Sequence, residues 1–317
     1  MRTLEGRIMV YTHRHQEVRA ILERAWPDLP MDFGYGPEFF AKAIGDAEVL
    51  YTYRFPHELL AGAGRLRWIQ GTGAGVDQMM PFEALPPGVL VTNAAGINAD
   101  IMADFAIALV LALHLNLKRY VEQQRDRQWK RVLAEPLAGK TLAAIGLGRI
   151  GKGVARRAKA MGMRVVGTRR SAAPVPDVDA VYPPEELHRA LGEGDYVVLT
   201  VPLTPATVHL LDAKAFDAMH PEAYLVNVSR GRVVDEAALV EALRSRRIAG
   251  AALDVFAKEP LPAESSLWAI ENVILTPHIG GDMKDFSERS VRLFCDNLGR
   301  YLRGEPLRNL VDLARGY

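Results

Sequence analysis

Thr141-Leu142-Ala143-Ala144-Ile145-Gly146-Leu147-Gly148-Arg149-Ile150-Gly151 is the stretch on which the fold turns. Its first five residues read as a buried strand, and three glycines spaced G-x-G-x-x-G follow at once. A helical pattern then runs through Val154, Ala155, Ala158 and Met161. In that strand, turn and helix context the glycines permit a tight turn and let backbone N–H groups at a helix N-terminus approach a pyrophosphate. Gly146, Leu147, Gly148, Arg149, Ile150 and Gly151 are therefore candidate dinucleotide-binding residues.

Outward from this block, short apolar runs alternate with helical patterns, the signature of βαβ units. Strands are expected downstream at 164–168, 196–201, 224–228, 250–255 and 273–275, and upstream at 8–11, 49–53, 68–70 and 89–92. Upstream helical patterns cover 17–26 and start at 56–61. A long apolar helix over about 99–117 separates the two series, followed by a charged stretch with Arg125, Asp126, Arg127, Trp129 and Lys130. The last helix, about 286–302, carries a stripe of Val291, Phe294, Cys295, Leu298, Tyr301 and Leu302, and its segment is expected to return to the first domain.

Composition excludes several function classes. The 317 residues suit two domains, and 49% hydrophobic content supplies real cores. Lys plus Arg is 39 against 38 for Asp plus Glu, a net charge of +1, so no footprint for nucleic acid or an anionic membrane stands out. Arg244-Ser245-Arg246-Arg247 reads as a solvated helix end. The single cysteine, Cys295, points to a reducing compartment, and the polar start over residues 1–5 to no signal peptide, so a cytoplasmic location is expected. Residues 101–117 contain Asp104 and His114 and fall short of a bilayer span of about 20 residues, so this helix is read as buried between domains or subunits. Neither paired cysteines nor H-E-x-x-H is present, and His13, His15, His57, His114, His188, His209 and His220 lack metal-ligand spacing; no metal is expected.

Three ionisable residues each fall just after an apolar run in the last third of the chain. Arg230 follows Leu225-Val226-Asn227-Val228-Ser229, Glu259 comes shortly after Ala251-Ala252-Leu253-Asp254-Val255-Phe256, and His278 follows Val273-Ile274-Leu275-Thr276-Pro277. If those runs are neighbouring parallel strands, all three side chains emerge at the carboxyl edge of one sheet, where open α/β folds place ligands. An anion clamp, a carboxylate and a histidine would then share one cleft.

The end of the second strand of the cofactor sheet reads Val165-Val166-Gly167-Thr168-Arg169-Arg170-Ser171, with no carboxylate before Asp177. An acid about 20 residues beyond the glycines ordinarily holds the ribose 2′-hydroxyl of NAD. Two guanidiniums and two hydroxyls suit a 2′-phosphate instead, so Thr168, Arg169, Arg170 and Ser171 point to NADP(H), with NAD(H) possible.

Together these strings resemble the D-isomer-specific 2-hydroxyacid dehydrogenase family, and more closely its glyoxylate/hydroxypyruvate reductase-like members. The similarity spans nearly the whole chain, through Gly71-Thr72-Gly73-Ala74-Gly75-Val76-Asp77, residues 139–151, Val201-Pro202-Leu203-Thr204, Ser229-Arg230-Gly231, Leu253-Asp254-Val255-Phe256, Glu259-Pro260-Leu261 and Thr276-Pro277-His278-Ile279. The expected fold is α/β: a Rossmann-type doubly wound parallel sheet over 99–287, and a smaller flavodoxin-like substrate domain, discontinuous in sequence, from 1–98 and 288–317.

The resemblance implies roles that physical chemistry accepts. Arg230 suits a substrate carboxylate, because a planar guanidinium binds it bidentately and keeps its charge. His278 suits the general acid of reduction and the base of oxidation, its ordinary pKa being about 6.5. Glu259 would hydrogen-bond the far side of that ring. Asp254 would accept from the nicotinamide carboxamide, while Val201, Pro202, Thr207, Val228, Ser229 and Gly280 would line the cofactor. Ala74, Gly75 and Val76 would offer backbone N–H groups to the substrate, and Tyr53 and Arg54 would influence which side chain fits. Family members are also homodimers through their cofactor domains.

The chain departs from the family's commonest pattern at Asp104, where many members have glutamate, and at Asp282 and Met283, which replace smaller residues beside His278. The expected function is hydride transfer from NAD(P)H to a small 2-oxo acid. Alternatives are the same scaffold acting on an imino acid, phosphite, formate or a bulkier oxo acid, or a corepressor-like nucleotide sensor. Formate enzymes place glutamine where Glu259 stands, and a sensor would be expected to carry a partner groove or extra tails, of which no low-complexity segment gives a sign.

Overall fold

The apolar runs form two parallel sheets, each buried on both faces, which is why their sequences read as near-continuous hydrophobic stretches. The computed structural model describes residues 3–133, 135–171 and 173–317, so the polar opening is described only from Thr3 onward. By compactness the chain divides into Met1–Asn98 with Met283–Tyr317, and Ala99–Asp282.

The first unit carries β1 (Arg7–Tyr11), β2 (Met31–Gly34), β3 (Ala47–Thr52), β4 (Trp68–Gly71) and β5 (Leu90–Thr92) in the order β2-β1-β3-β4-β5, all parallel. That is the flavodoxin-like order. The helix Phe286–Arg303 covers one face, packing Val291, Phe294, Leu298, Tyr301 and Leu302 on Ile8, Val10, Tyr51 and Trp68. Each such fully buried side chain contributes about 1.5–3 kcal/mol. Register comes from polar groups inside this layer. Asn297 donates to Gln70 Oε1 (3.0 Å) and its own Oδ1 accepts from Arg308 N (2.8 Å), while Tyr301 donates to Glu48 Oε1 (2.7 Å).

The second unit carries β6 (Thr141–Ile145), β7 (Arg164–Thr168), β8 (Ala180–Tyr182), β9 (Tyr196–Leu199), β10 (Tyr224–Asn227), β11 (Gly250–Leu253) and β12 (Val273–Leu275). Their order, β12-β11-β10-β9-β6-β7-β8, is the Rossmann arrangement with one added strand, and its switch point falls between β6 and β9. One face packs on the helix Ala99–His114 and on Arg149–Ala160, the other on the helices Leu187–Glu193, Ala213–Ala218 and Glu236–Arg244.

The strands read over 196–201 and 250–255 stop at Leu199 and Leu253, the helix start read at 56–61 is a 3-10 helix over His57–Gly62, and other elements depart further from the sequence reading. Met31–Gly34 is a strand that periodicity does not show, because Asp32 interrupts its apolar run to pair with Arg7 (2.5 Å) at the sheet edge. Ala180–Tyr182 is likewise a three-residue edge strand. The long helix stops at His114: Asn116 adopts a left-handed φ of 54°, and a new helix, Leu117–Arg125, takes up the start of the stretch read as merely charged. Among the described residues no single helix is long and apolar enough to cross a membrane; those two pass only as a pair bent by 65°.

Candidate active site

The segments that follow β6, β7, β9, β10, β11 and β12 all leave the carboxyl edge of one parallel sheet, and they carry most of the residues singled out in the second unit. Beyond β10, the Asn227 side chain shapes the turn, its Nδ2 donating to Arg230 O (3.1 Å) and its Oδ1 accepting from Ser229 N (3.0 Å) and Oγ (2.8 Å). Arg230 emerges half-buried, with Nη1 donating to Ser229 O at 2.8 Å. Gly231 then lies against the chain beyond β11 so closely that a Cβ there would stand 1.8 Å from Phe256 C. Only glycine permits that approach, and it places the Arg230 turn beside the Glu259 loop.

Glu259 is held at both oxygens. Oε1 accepts from Phe256 N (2.9 Å), and Oε2 pairs with His278 Nδ1 at 2.6 Å. This leaves the ring oriented with Nε2 as the nitrogen available for proton exchange. His278 sits in the left-handed region at φ 54°, on a turn where His278 N donates to Thr276 O (3.1 Å). Asp254, buried at 1% exposure, accepts from Thr276 Oγ1 (2.6 Å), Ile279 N (3.0 Å) and Gly280 N (2.9 Å).

The glycine loop fits a dinucleotide. Gly146 has φ 102°, and a Cβ there would meet Val201 at 2.8 Å; a Cβ on Gly151 would stand 2.2 Å from Gly146 O. At Gly148 a Cβ would meet nothing of the protein within 4 Å, so the fold itself does not demand glycine there and the space suits a ligand's close approach. Arg149, Ile150 and Gly151 form the first turn of the helix Arg149–Ala160. Leu147 turns its side chain into the core, and its N–H donates to Thr168 O (2.9 Å). Thr168 is also buried, its hydroxyl accepting from Gly146 N (3.2 Å), so this residue braces the loop.

Arg169 is half-buried, whereas Arg170 and Ser171 are exposed directly beyond β7. The acid Asp179 is occupied elsewhere, bonding Lys159 Nζ at 2.6 and 2.8 Å and accepting from Val165 N, at the opposite end of the strand. Val201, Pro202 and Thr207 belong to one turn, where Thr207 Oγ1 donates to Pro202 O (2.7 Å) and accepts from Thr204 N (2.8 Å). Val228 and Ser229 are buried beneath the Arg230 turn.

In the other unit, Tyr53 and Arg54 follow β3, and Ala74, Gly75 and Val76 follow β4. Tyr53 lies over Gly73, where a Cβ would be 3.0 Å from its ring, and Gln78 Nε2 fixes the loop by donating to Gly75 O (3.0 Å). Val76 is buried, with Ala74 and Gly75 half-buried. A hydrogen bond with the Tyr35 phenol holds the Arg54 guanidinium above its usual range.

Asn227, Gly231 and Thr276 shape the site without having been singled out. Asn227 offered a signal, an amide in an otherwise apolar strand. Among the described residues no group of three or more His, Cys, Asp or Glu is placed to hold a metal.

A switch-point sheet, a glycine loop and a carboxylate–histidine pair beside an arginine define the class of nicotinamide-nucleotide oxidoreductases. The model of the "D-isomer specific 2-hydroxyacid dehydrogenase, NAD binding domain" matches residues 107–280. The glyoxylate reductase of Pyrococcus furiosus is 37% identical over 290 residues, covering 87% of this chain and 85% of that protein. A D-isomer specific 2-hydroxyacid dehydrogenase from Xanthobacter autotrophicus Py2, solved with NADPH and MES, superposes with a TM-score of 0.87 at 31% identity, covering 98% and 99% of the two chains. An NADPH-dependent glyoxylate/hydroxypyruvate reductase from Sinorhizobium meliloti, solved with NADP and sulfate, gives 0.88 at 26% identity over 99% of this chain and 100% of that one.

The chain belongs to the D-isomer specific 2-hydroxyacid dehydrogenase family. It is accordingly a D-2-hydroxyacid dehydrogenase, an NAD(P)-dependent oxidoreductase.

Proposed function

We propose that the protein uses NADPH to reduce a small 2-oxo acid of the glyoxylate or hydroxypyruvate type to the D-2-hydroxy acid. The observation that carries this is the 2.6 Å pair of His278 Nδ1 with Glu259, on strand ends next to that of Arg230. Arg230 binds the substrate carboxylate and orients the carbonyl. His278 donates a proton from Nε2 to the carbonyl oxygen as negative charge builds there, and the Glu259 carboxylate stabilises the imidazolium and holds its ring. A dinucleotide held through its pyrophosphate at the glycine loop would supply the hydride from its reduced nicotinamide.

Gly146, Gly148, Gly151 and the helix start behind them hold the pyrophosphate, and Arg169, Arg170 and Ser171 take the 2′-phosphate. Thr168 acts indirectly, by bracing Gly146. The five-stranded unit is the substrate domain, with backbone N–H groups of residues 74–76 for the carboxylate and Tyr53 and Arg54 for the side chain. The reading includes a cytoplasmic homodimer.

An NADPH-consumption screen over glyoxylate, hydroxypyruvate, pyruvate and bulkier 2-oxo acids tests the substrate, and failure on the first two removes that assignment. The ratio of kcat/KM for NADPH over NADH is expected above one, falling by about a hundredfold in the Arg169→Ala, Arg170→Ala double variant as two charge-assisted contacts are lost. A wild-type ratio below one overturns the NADPH assignment.

A further inference from the structure

We infer that Asp254 is a positioning residue that acts through His278, by tying down both sides of the turn on which the imidazole stands. This rests on the reading of His278 as the proton carrier. Asp254 follows β11 directly, whereas the turn follows the neighbouring strand β12, so the carboxylate reaches sideways across the sheet edge. Its Oδ1 accepts from Thr276 Oγ1 (2.6 Å) before His278 and from Ile279 N (3.0 Å) after it; its Oδ2 accepts from Gly280 N (2.9 Å).

Such a brace has a physical reason. A non-glycine residue at φ 54° lies in a region that costs about 1–2 kcal/mol for an L-residue, so the surroundings must over-determine it. Thr276 N also donates to Leu253 O (3.0 Å), continuing the ladder up to the residue before Asp254. Gly280 is buried, and a Cβ there would stand 3.0 Å from Asp254 Oδ2 and 2.7 Å from the Phe105 ring, so the third bond forms only with glycine at that position. The carboxylate thereby sets where the ring meets Glu259. This role differs from accepting a hydrogen from the nicotinamide carboxamide, and the two separate experimentally.

The experiment combines Asp254→Ala, Asp254→Asn, Thr276→Val, Thr276→Ser and His278→Gln in the full-length enzyme, reading glyoxylate turnover, the Kd for NADPH and amide hydrogen exchange. Thr276→Val should lower kcat by about fivefold to tenfold, the worth of one buried hydrogen bond, and Thr276→Ser should restore it. Asp254→Asn should retain more activity than Asp254→Ala, because its side-chain oxygen still accepts from Thr276 and Ile279. NADPH affinity should stay within about twofold in the two Thr276 variants, while exchange at Ile279 and Gly280 accelerates in Asp254→Ala. Adding Asp254→Ala to His278→Gln should cost nothing further, since the two act as one unit.

Unchanged exchange at Ile279 and Gly280, or a loss confined to NADPH affinity, overturns the inference. Near-full turnover in His278→Gln overturns the reading of His278 instead. If Asp254→Ala does not fold, the Thr276 pair decides: equal kcat for Val and Ser sinks the brace.

Discussion

The two sheets keep their polar groups in different places. In the five-stranded unit they lie within the layers: Gln70, Thr92 and Asn297 are each fully buried, and Trp68 Nε1 donates to Thr92 Oγ1 (2.8 Å) between β4 and β5. In the seven-stranded unit the layers are almost wholly apolar, and the polar side chains gather at and beyond the carboxyl ends of the strands, at Asn227, Asp254, Glu259 and His278. The first arrangement specifies how a helix distant in sequence docks, because a buried polar group accepts few alternative partners. The second holds reactive groups in fixed geometry on a rigid base. Polar chemistry of the same kind thus serves assembly in one sheet and, in the other, fixes the groups proposed to be catalytic.

The most severe way to break the comparison is His278→Gln. Turnover should fall by about a thousandfold, some 4 kcal/mol of transition-state stabilisation, while NADPH affinity and thermal stability stay near wild type. Steady-state kinetics with fluorescence titration checks this, and a parallel loss of melting temperature would show that the loop residues also carry stability. Gly231→Ala is expected next. Its Cβ would lie 1.8 Å from Phe256 C, so the Arg230 and Glu259 loops must separate, at about 3 kcal/mol of strain and with loss of kcat/KM. Calorimetry and kinetics should move together there.

The smallest effect is placed in the other sheet. Asn297→Ala strands Gln70 Oε1 and Arg308 N without their Asn297 bonds, and should destabilise the five-stranded unit by about 2 kcal/mol. NADPH affinity should be unaltered. The unfolding transition is expected to show this loss in one unit only, as a two-domain chain need not unfold in one step.

Legibility differed with distance along the chain. The strand ends at Ile145, Thr168 and Leu275 were readable to the residue, since short, largely apolar runs meet a glycine or a polar turn there. The placement of Arg230, Glu259 and His278 beyond neighbouring strand ends was readable because each comes after an apolar run. The edge strand Met31–Gly34 was not, as Asp32 breaks its pattern for a partner 25 residues away. Asp254 was read as a cofactor ligand, and nothing local discloses that its three donors lie 22–26 positions further on. The bond from Gly146 N to the Thr168 hydroxyl, spanning 22 positions, is likewise not disclosed by any local pattern.

Sequence alone determined the class of fold, the nucleotide loop and the identity of the ionisable groups, because apolar periodicity and glycine spacing are local properties of the chain. Only the tertiary structure decided which oxygen of Glu259 faces His278, which residues hold the Arg230 turn, and that Asp254 spans two strand ends. Those contacts depend on strand order and on approaches closer than a Cβ allows, and neither is written within any single stretch of residues.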